Sequence, residues 1–146
     1  MKKILFVCHG NICRSPMAEF LLNDMAKKKG LDIYAESAAT STEEIGNGVH
    51  RGTRKKLAEH GISCDGKRAR QLTKSDYQEY DYIIGMDDWN IRNILRITGG
   101  DDDKKVYKLL DFADGGDIAD PWYTGNFDET YDDIMRGLKG FCSQTA

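Results

Sequence analysis

The stretch FVCHGNICRSP, Phe6 to Pro16, decides the fold because the hydrophobic period changes inside it. Running into it, Ile4 to Val7 is a continuous apolar run, the pattern of a strand buried on both faces. After it, Met17, Phe20, Leu21 and Met25 recur at helical spacing along a helix expected from Pro16 to Lys29. Ser15-Pro16 reads as the boundary, a hydroxyl N-cap followed by a proline at the first helical position, where no amide donor is needed. The segment from Cys8 to Ser15 therefore carries a strand into a helix N-terminus.

Outward from this turn the same alternation continues. Leu31 to Ala35 alternates as a second strand, and Val49 to Glu59 carries a helical pattern ended by His60-Gly61. Thr73 and Asp76 have capping-box spacing for a short helix ahead of a buried strand, Asp81 to Met86. Asp87 or Asp88 then caps a helix carrying Ile91, Ile94, Leu95 and Ile97, stopped by Gly99-Gly100. Asp101 to Lys105 reads as a solvated charge run, Val106 to Leu110 as a fourth strand, and a Gly- and Asp-rich connection follows to Asn126. Phe127, Tyr131, Ile134, Leu138 and Phe141 mark the last helix. Repeated β-α units predict an α/β fold: a single-domain, open parallel sheet of about four strands with helices on both faces. Ligands in such sheets bind beyond the carboxyl ends of the strands, so the Cys8–Arg14 loop and the long connection share the functional edge.

With 146 residues the chain has the length of one domain, and its formal charge of −3 shows no basic excess, so no nucleic-acid partner is expected. The apolar run in MKKILFVC is too short for a signal-peptide core or a membrane span, which predicts a cytoplasmic protein with no membrane association. Cys8, Cys13, Cys64 and Cys142 are scattered and form no CxxC pair, suggesting free thiols. His50 and His60 lack the paired companions a zinc site requires, so no metal is expected, and no cofactor.

The chemistry of the loop leaves three readings: a metal or redox pair of Cys8 and Cys13, a nucleophile in an anion-binding loop, or an ordinary turn. Free amides and the positive end of the helix macrodipole gather at a helix N-terminus and favour an anion. Gly10 and Asn11 tolerate the positive φ that turns N–H groups inward into a nest. Amide dipoles and a guanidinium favour the thiolate of a cysteine placed there, which suits Cys8 to nucleophilic attack. Arg14 adds a permanently charged planar fork matched to phosphate oxygens. The loop is no Walker A motif, since the second glycine and the Gly-Lys-Ser/Thr ending are missing.

At this point the sequence resembles the low-molecular-weight protein tyrosine phosphatases, whose signature V-C-x-G-N-x-C-R-S-P appears here as VCHGNICRSP. Further matches are SAATS at Ser37 to Ser41, ARQLT at Ala69 to Thr73, DYIIGMD at Asp81 to Asp87 and ADPWY at Ala119 to Tyr123. The resemblance implies a flavodoxin-like strand order 2-1-3-4 and a two-step, metal-independent hydrolysis through a phosphocysteine. Cys8 is then the nucleophile, and Arg14 and the loop amides from His9 to Ser15 hold the phosphate. Ser15 hydrogen-bonds the thiolate, while Asn11 and Ser37 support the loop. Asp120 is the general acid and base. Its place before Pro121 biases it to an extended conformation able to project the carboxyl over the site. Substrates would be phosphotyrosine-containing proteins or small aryl phosphates, with inorganic phosphate as product.

Around this centre, His9, Gly10, Asn11, Ile12, Cys13, Glu43, Trp122 and Tyr123 are expected to contact substrate. Cys13 reads either as a packed small residue or as a redox partner for Cys8, and the resemblance favours the partner. Trp122 and Tyr123 read as loop anchors, at a position where family members supply aromatic contacts and sometimes a regulatory tyrosine. Glu43 stands where members often carry an aromatic wall residue, and Lys67 where several carry histidine. Rival readings are an arsenate reductase, which needs further cysteines close by, a protein-arginine phosphatase, which resembles this loop with threonine in place of Ile12, and a phosphocysteine carrier without turnover.

Overall fold

The computed structural model describes residues 1–145, and its strand β1 (Lys2–Cys8) is the element against which the rest is laid. It pairs along its whole length with β2 (Ile33–Ala39), from Lys2 opposite Ile33 to Cys8 opposite Ala39. On its other side lies β3 (Tyr82–Gly85), and β4 (Val106–Lys108) joins β3 at the edge. All pairings are parallel and the order is β2-β1-β3-β4, as expected. The helices are α1 (Arg14–Lys29), α2 (Arg51–Ala58), α3 (Asp76–Glu79), α4 (Asp88–Thr98), α5 (Pro121–Thr124) and α6 (Phe127–Thr145).

The strand period of two explains the apolar run. Ile4, Phe6 and Cys8 join a core with Met17 and Leu22 of α1 and Ile134, Leu138 and Phe141 of α6. Leu5 and Val7 join a second core with Leu72, Tyr77, Tyr80, Ile83 and Ile94. Each large side chain buried this way stabilises by roughly 1.5–3 kcal/mol. A Cβ at Gly140 would stand 1.8 Å from Phe112 O, so α6 lies directly on the 3-10 turn Leu109–Phe112.

Several boundaries differ from expectation for identifiable reasons. The second strand runs Ile33–Ala39, because Ser37, Ala38 and Ala39 are buried small residues that continue the pairing without an apolar alternation. The fourth strand stops at Lys108, whose N–H donates to Asp111 Oδ2 and turns the chain into the 3-10 segment. α2 starts at Arg51, with Nδ1 of His50 accepting from Gly52 N at 3.0 Å, a cap outside the usual Ser/Thr/Asp/Asn set. Before α3 half of the expected box forms: Asp76 Oδ2 accepts from Thr73 N, while the Thr73 hydroxyl meets Ser75 Oγ. Asp101 does more than face solvent, since its carboxylate accepts from Tyr77 OH, Lys105 N and Val106 N at the head of β4. Asp87, rather than Asp88, caps α4.

Candidate active site

Between β1 and α1 the chain folds into a concave loop at the carboxyl edge of the sheet. Its outer side is held by neighbours: Thr40 N donates to Cys8 O, Ser41 N to His9 O, His50 N to Ile12 O, and Thr53 Oγ1 to Cys13 O, all at 2.8–3.0 Å. With the carbonyls committed outward, the amides of residues 9–13 have no backbone acceptor among the described residues. That is the polarity of an anion nest. Asn11 makes the turn possible with φ 59. Gly10 does not use positive φ, contrary to expectation; a Cβ there would press within 3.3 Å of Glu44 Cγ.

Ser15 is not the N-cap. The helix begins at Arg14 with Cys13 in the cap position and no side-chain cap, so Pro16 is the third helical residue. The hydroxyl is engaged elsewhere: Ser15 Oγ lies 3.0 Å from Cys8 Sγ and accepts from Asn11 Nδ2 at 2.8 Å. With that lone pair occupied, its hydrogen is free to point at the sulfur. Asn11 Nδ2 also donates to Ser37 Oγ, and Asn11 Oδ1 accepts from Arg70 N. The side chains of Asn11 and Ser15 are thus buried behind the loop, where they support it.

Arg14 is only 2% exposed. Its Nη1 donates to Asp87 Oδ2 at 2.7 Å and Ile118 O at 2.8 Å, and Nη2 lies 3.5 Å from Asp120 Oδ2. Nε is buried with no hydrogen-bond partner among the described residues. Burial opposes the guanidinium charge, but Cys8, Asp87 and Asp120 outweigh it and hold its pKa above the ordinary value. Asp87 divides its carboxylate, one oxygen capping α4 through Asn90 N and the other holding Arg14. Asp120 is extended at φ −79, ψ 114, as the following proline requires, and its Oδ1 accepts from Trp122 N to start α5, a helix where only connection was expected.

These elements enclose a cleft of about 210 Å³. Cys8, His9, Gly10, Ile12, Cys13, Glu43, Asp120, Trp122 and Tyr123 line it, together with Glu44, which had not been expected at the site. His9 Nε2 meets Glu43 across the rim. Tyr123, 82% exposed, stands at the mouth, its amide donating to Asp120 O at 3.1 Å. Among the described residues no three His, Cys, Asp or Glu side chains gather to hold a metal ion. No helix among them is long and apolar enough to cross a membrane.

All four cysteines are free thiols. Burial, followed by the neighbouring Cys8, pushes the Cys13 thiol up to about 12. Cys64 and Cys142 are likewise raised by burial and do not line the cleft.

Behind Ser37 stands a polar pair that the sequence reading noticed only in part. Lys67 Nζ donates to Ser37 O at 2.9 Å and pairs with Glu19 Oε1 at 3.1 Å, while Ser37 Oγ donates to that same oxygen. Glu19 lies on the buried side of α1, and a carboxylate in an apolar stripe was the available signal for it. Lys67→Met would leave this carboxylate nearly enclosed without its cation. The expected outcome is a loss of roughly 2–4 kcal/mol in denaturant unfolding, with slower turnover as Ser37 and Asn11 loosen. Unchanged stability would mean that water replaces the ammonium.

A family model described as low molecular weight phosphotyrosine protein phosphatase matches residues 3–146. YfkJ of Bacillus subtilis, a low molecular weight protein-tyrosine-phosphatase, is 46% identical over 144 residues, spanning 95% of this chain and 92% of that protein. PtpA of Staphylococcus aureus, with the same description, is 38% identical over 92% of this chain and 88% of its own length. The crystal structure of YfkJ superposes with a TM-score of 0.94 over 99% of this chain and 94% of that one, at 44% identity. That of SP-PTP from Streptococcus pyogenes gives 0.89 over 100% and 94%, at 41%. By its signature loop, its strand order and these relatives, the chain belongs to the low molecular weight phosphotyrosine protein phosphatases, enzymes that hydrolyse phosphomonoesters and release inorganic phosphate.

Proposed function

We propose that Cys8 attacks the phosphorus of an aryl phosphate, so that the S–P bond forms as the P–O bond to the leaving group breaks. Arg14 and the loop amides hold the equatorial oxygens, where charge gathers in a loose transition state. Asp120 gives its proton to the departing phenolate oxygen, then takes one from the water that hydrolyses the phosphocysteine and frees phosphate. The observation that carries this reading is Arg14 Nε: among the described residues it is a buried donor without a partner, next in sequence to loop amides without backbone acceptors, and such donors ask for an anion. Asp120→Asn tests the acid. Its kcat/KM should fall about 10²–10⁴-fold for phenyl phosphate and far less for dinitrophenyl phosphate, whose leaving group needs no proton. Equal slowing of both removes Asp120 from the role.

Phosphotyrosine in proteins suits the cleft better than phosphoserine, because a ring spans the distance from rim to floor between Ile12 and Trp122. Glu43 and Glu44 at the rim disfavour acidic flanking residues. The apolar Ile12 favours a phenyl ring over a guanidinium, against the arginine-phosphatase reading; release of phosphate from phosphoarginine at a comparable rate would reverse that choice. Cys64 and Cys142 lie away from the cleft and supply no relay for an arsenate reductase. Steady turnover of an aryl phosphate separates a hydrolase from a carrier. A cytoplasmic setting fits four free thiols.

Cys13 fits a protective role in the same scheme. Peroxide converts the Cys8 thiolate to sulfenic acid, and the Cys13 thiol then displaces water to form a disulfide. Burial keeps Cys13 protonated, which spares it from peroxide and also slows its attack on the sulfenic acid. Cys13→Ser should keep near-normal turnover but recover poorly under thiols after peroxide. Full recovery of that variant, or a Cys8 disulfide to Cys64 or Cys142 in mass spectra, would leave Cys13 a packing residue.

A further inference from the structure

His50 binds three parts of the molecule that the reaction must keep in register. Its backbone N–H donates to Ile12 O, in the wall of the phosphate loop. Its Nδ1 accepts from Gly52 N at the head of α2, which leaves the ring proton on Nε2. Its imidazole lies between two aromatic rings, stacked on Phe127 at 5.2 Å and 17° and edge-on to Trp122 at 5.6 Å and 76°. Trp122 lies in α5, the short helix that Asp120 caps, and Phe127 opens α6 just beyond it, so the acid-bearing segment leaves and returns over the same imidazole.

The seating beneath Phe127 is tight. A Cβ at Gly52 would stand 2.3 Å from Phe127 Cζ, so this ring rests on the α2 backbone, and it also packs against Ile12, Cys13 and Ala69. Trp122, by contrast, is 57% exposed, and its aromatic contact is with His50. Its amide is bonded to Asp120 Oδ1. Whatever fixes Trp122 therefore fixes the carboxyl that caps the same turn.

We propose that His50 is a positioning residue for Asp120, its ring serving as the post on which the acid-bearing segment sits against the phosphate loop. The inference rests on the reading of Asp120 as the general acid. It separates two properties of one side chain: the ring, which meets Trp122, and Nδ1, which caps α2. His50→Asn keeps an oxygen for Gly52 N–H and removes the ring; His50→Phe keeps a ring and removes the cap.

The experiment compares both variants with Asp120→Asn, measuring kcat/KM for phenyl and dinitrophenyl phosphate and the affinity for vanadate. His50→Asn should lose about threefold to tenfold on phenyl phosphate, the scale of one aromatic edge contact, with little loss on dinitrophenyl phosphate and unchanged vanadate binding. His50→Phe should restore the wild-type ratio between the two substrates. A wild-type ratio in His50→Asn overturns the proposal, as does a defect shared equally by His50→Phe, which would assign the effect to the cap. Weakened vanadate binding in His50→Asn also overturns it, by placing the effect in the phosphate loop. If Asp120→Asn itself fails to discriminate the substrates, the acid reading falls and this inference with it; if Asp120→Asn discriminates and His50→Asn does not, only His50 is excluded.

Discussion

Cys8→Ser is expected to lower turnover by roughly three orders of magnitude or more while vanadate still binds. Sulfur sits at the floor of the loop, 3.0 Å from the Ser15 hydroxyl, with Arg14 buried nearby. An alcohol at neutral pH remains protonated and is a far weaker nucleophile than a cysteine sulfur. The loop's shape does not depend on the sulfur: it is held from outside through the carbonyls of Cys8, His9, Ile12 and Cys13, and from behind by Asn11. Binding and turnover should therefore separate in this variant. Retention of more than about a tenth of wild-type activity would assign the chemistry to another group.

Arg14→Lys should lower kcat/KM by about 10²–10³ and weaken phosphate binding, measured by product inhibition. The substitution keeps the charge, so a simple electrostatic role would survive it. The structure asks more of the residue than charge. Nη1 serves Asp87 and Ile118 O, Nη2 faces Asp120, and Nε has no partner among the described residues, three directions fixed by one plane. An ammonium on a flexible stem cannot hold Asp87 and the ligand together in that geometry. Since Asp87 also caps α4, a lower melting temperature should accompany the kinetic loss. A lysine variant within about threefold of wild type would show that charge alone suffices.

The sheet and its order were legible because β1 is apolar on both faces and α1 follows it with helical spacing, and because the loop between them carries a specific signature. Cys8, Arg14 and Asp120 do come together. What escaped the sequence reading was side chains with two jobs. Ser15-Pro16 looked like a cap because residue type reports capability, whereas only the fold shows that the hydroxyl is turned toward Cys8 and Asn11. Asp87 was readable as a cap, but its second oxygen reaches Arg14 across 73 residues, a pairing with no local signal. His50 belongs to the same class: its neighbours Trp122 and Phe127 are remote in sequence, and histidine is an unusual cap. Glu43 and Glu44 share the rim, although sequence singled out only the first.

The most direct test is to quench a reaction with an aryl phosphate by acid within a turnover and locate the phosphoryl group by peptide mass spectrometry. It should be found on the Cys8 peptide, bonded through sulfur, accumulate further in Asp120→Asn, and be absent from Cys8→Ser. Phosphate on another side chain, or continued hydrolysis by Cys8→Ser with no phosphorylated cysteine at any time, would contradict nucleophilic catalysis at this loop.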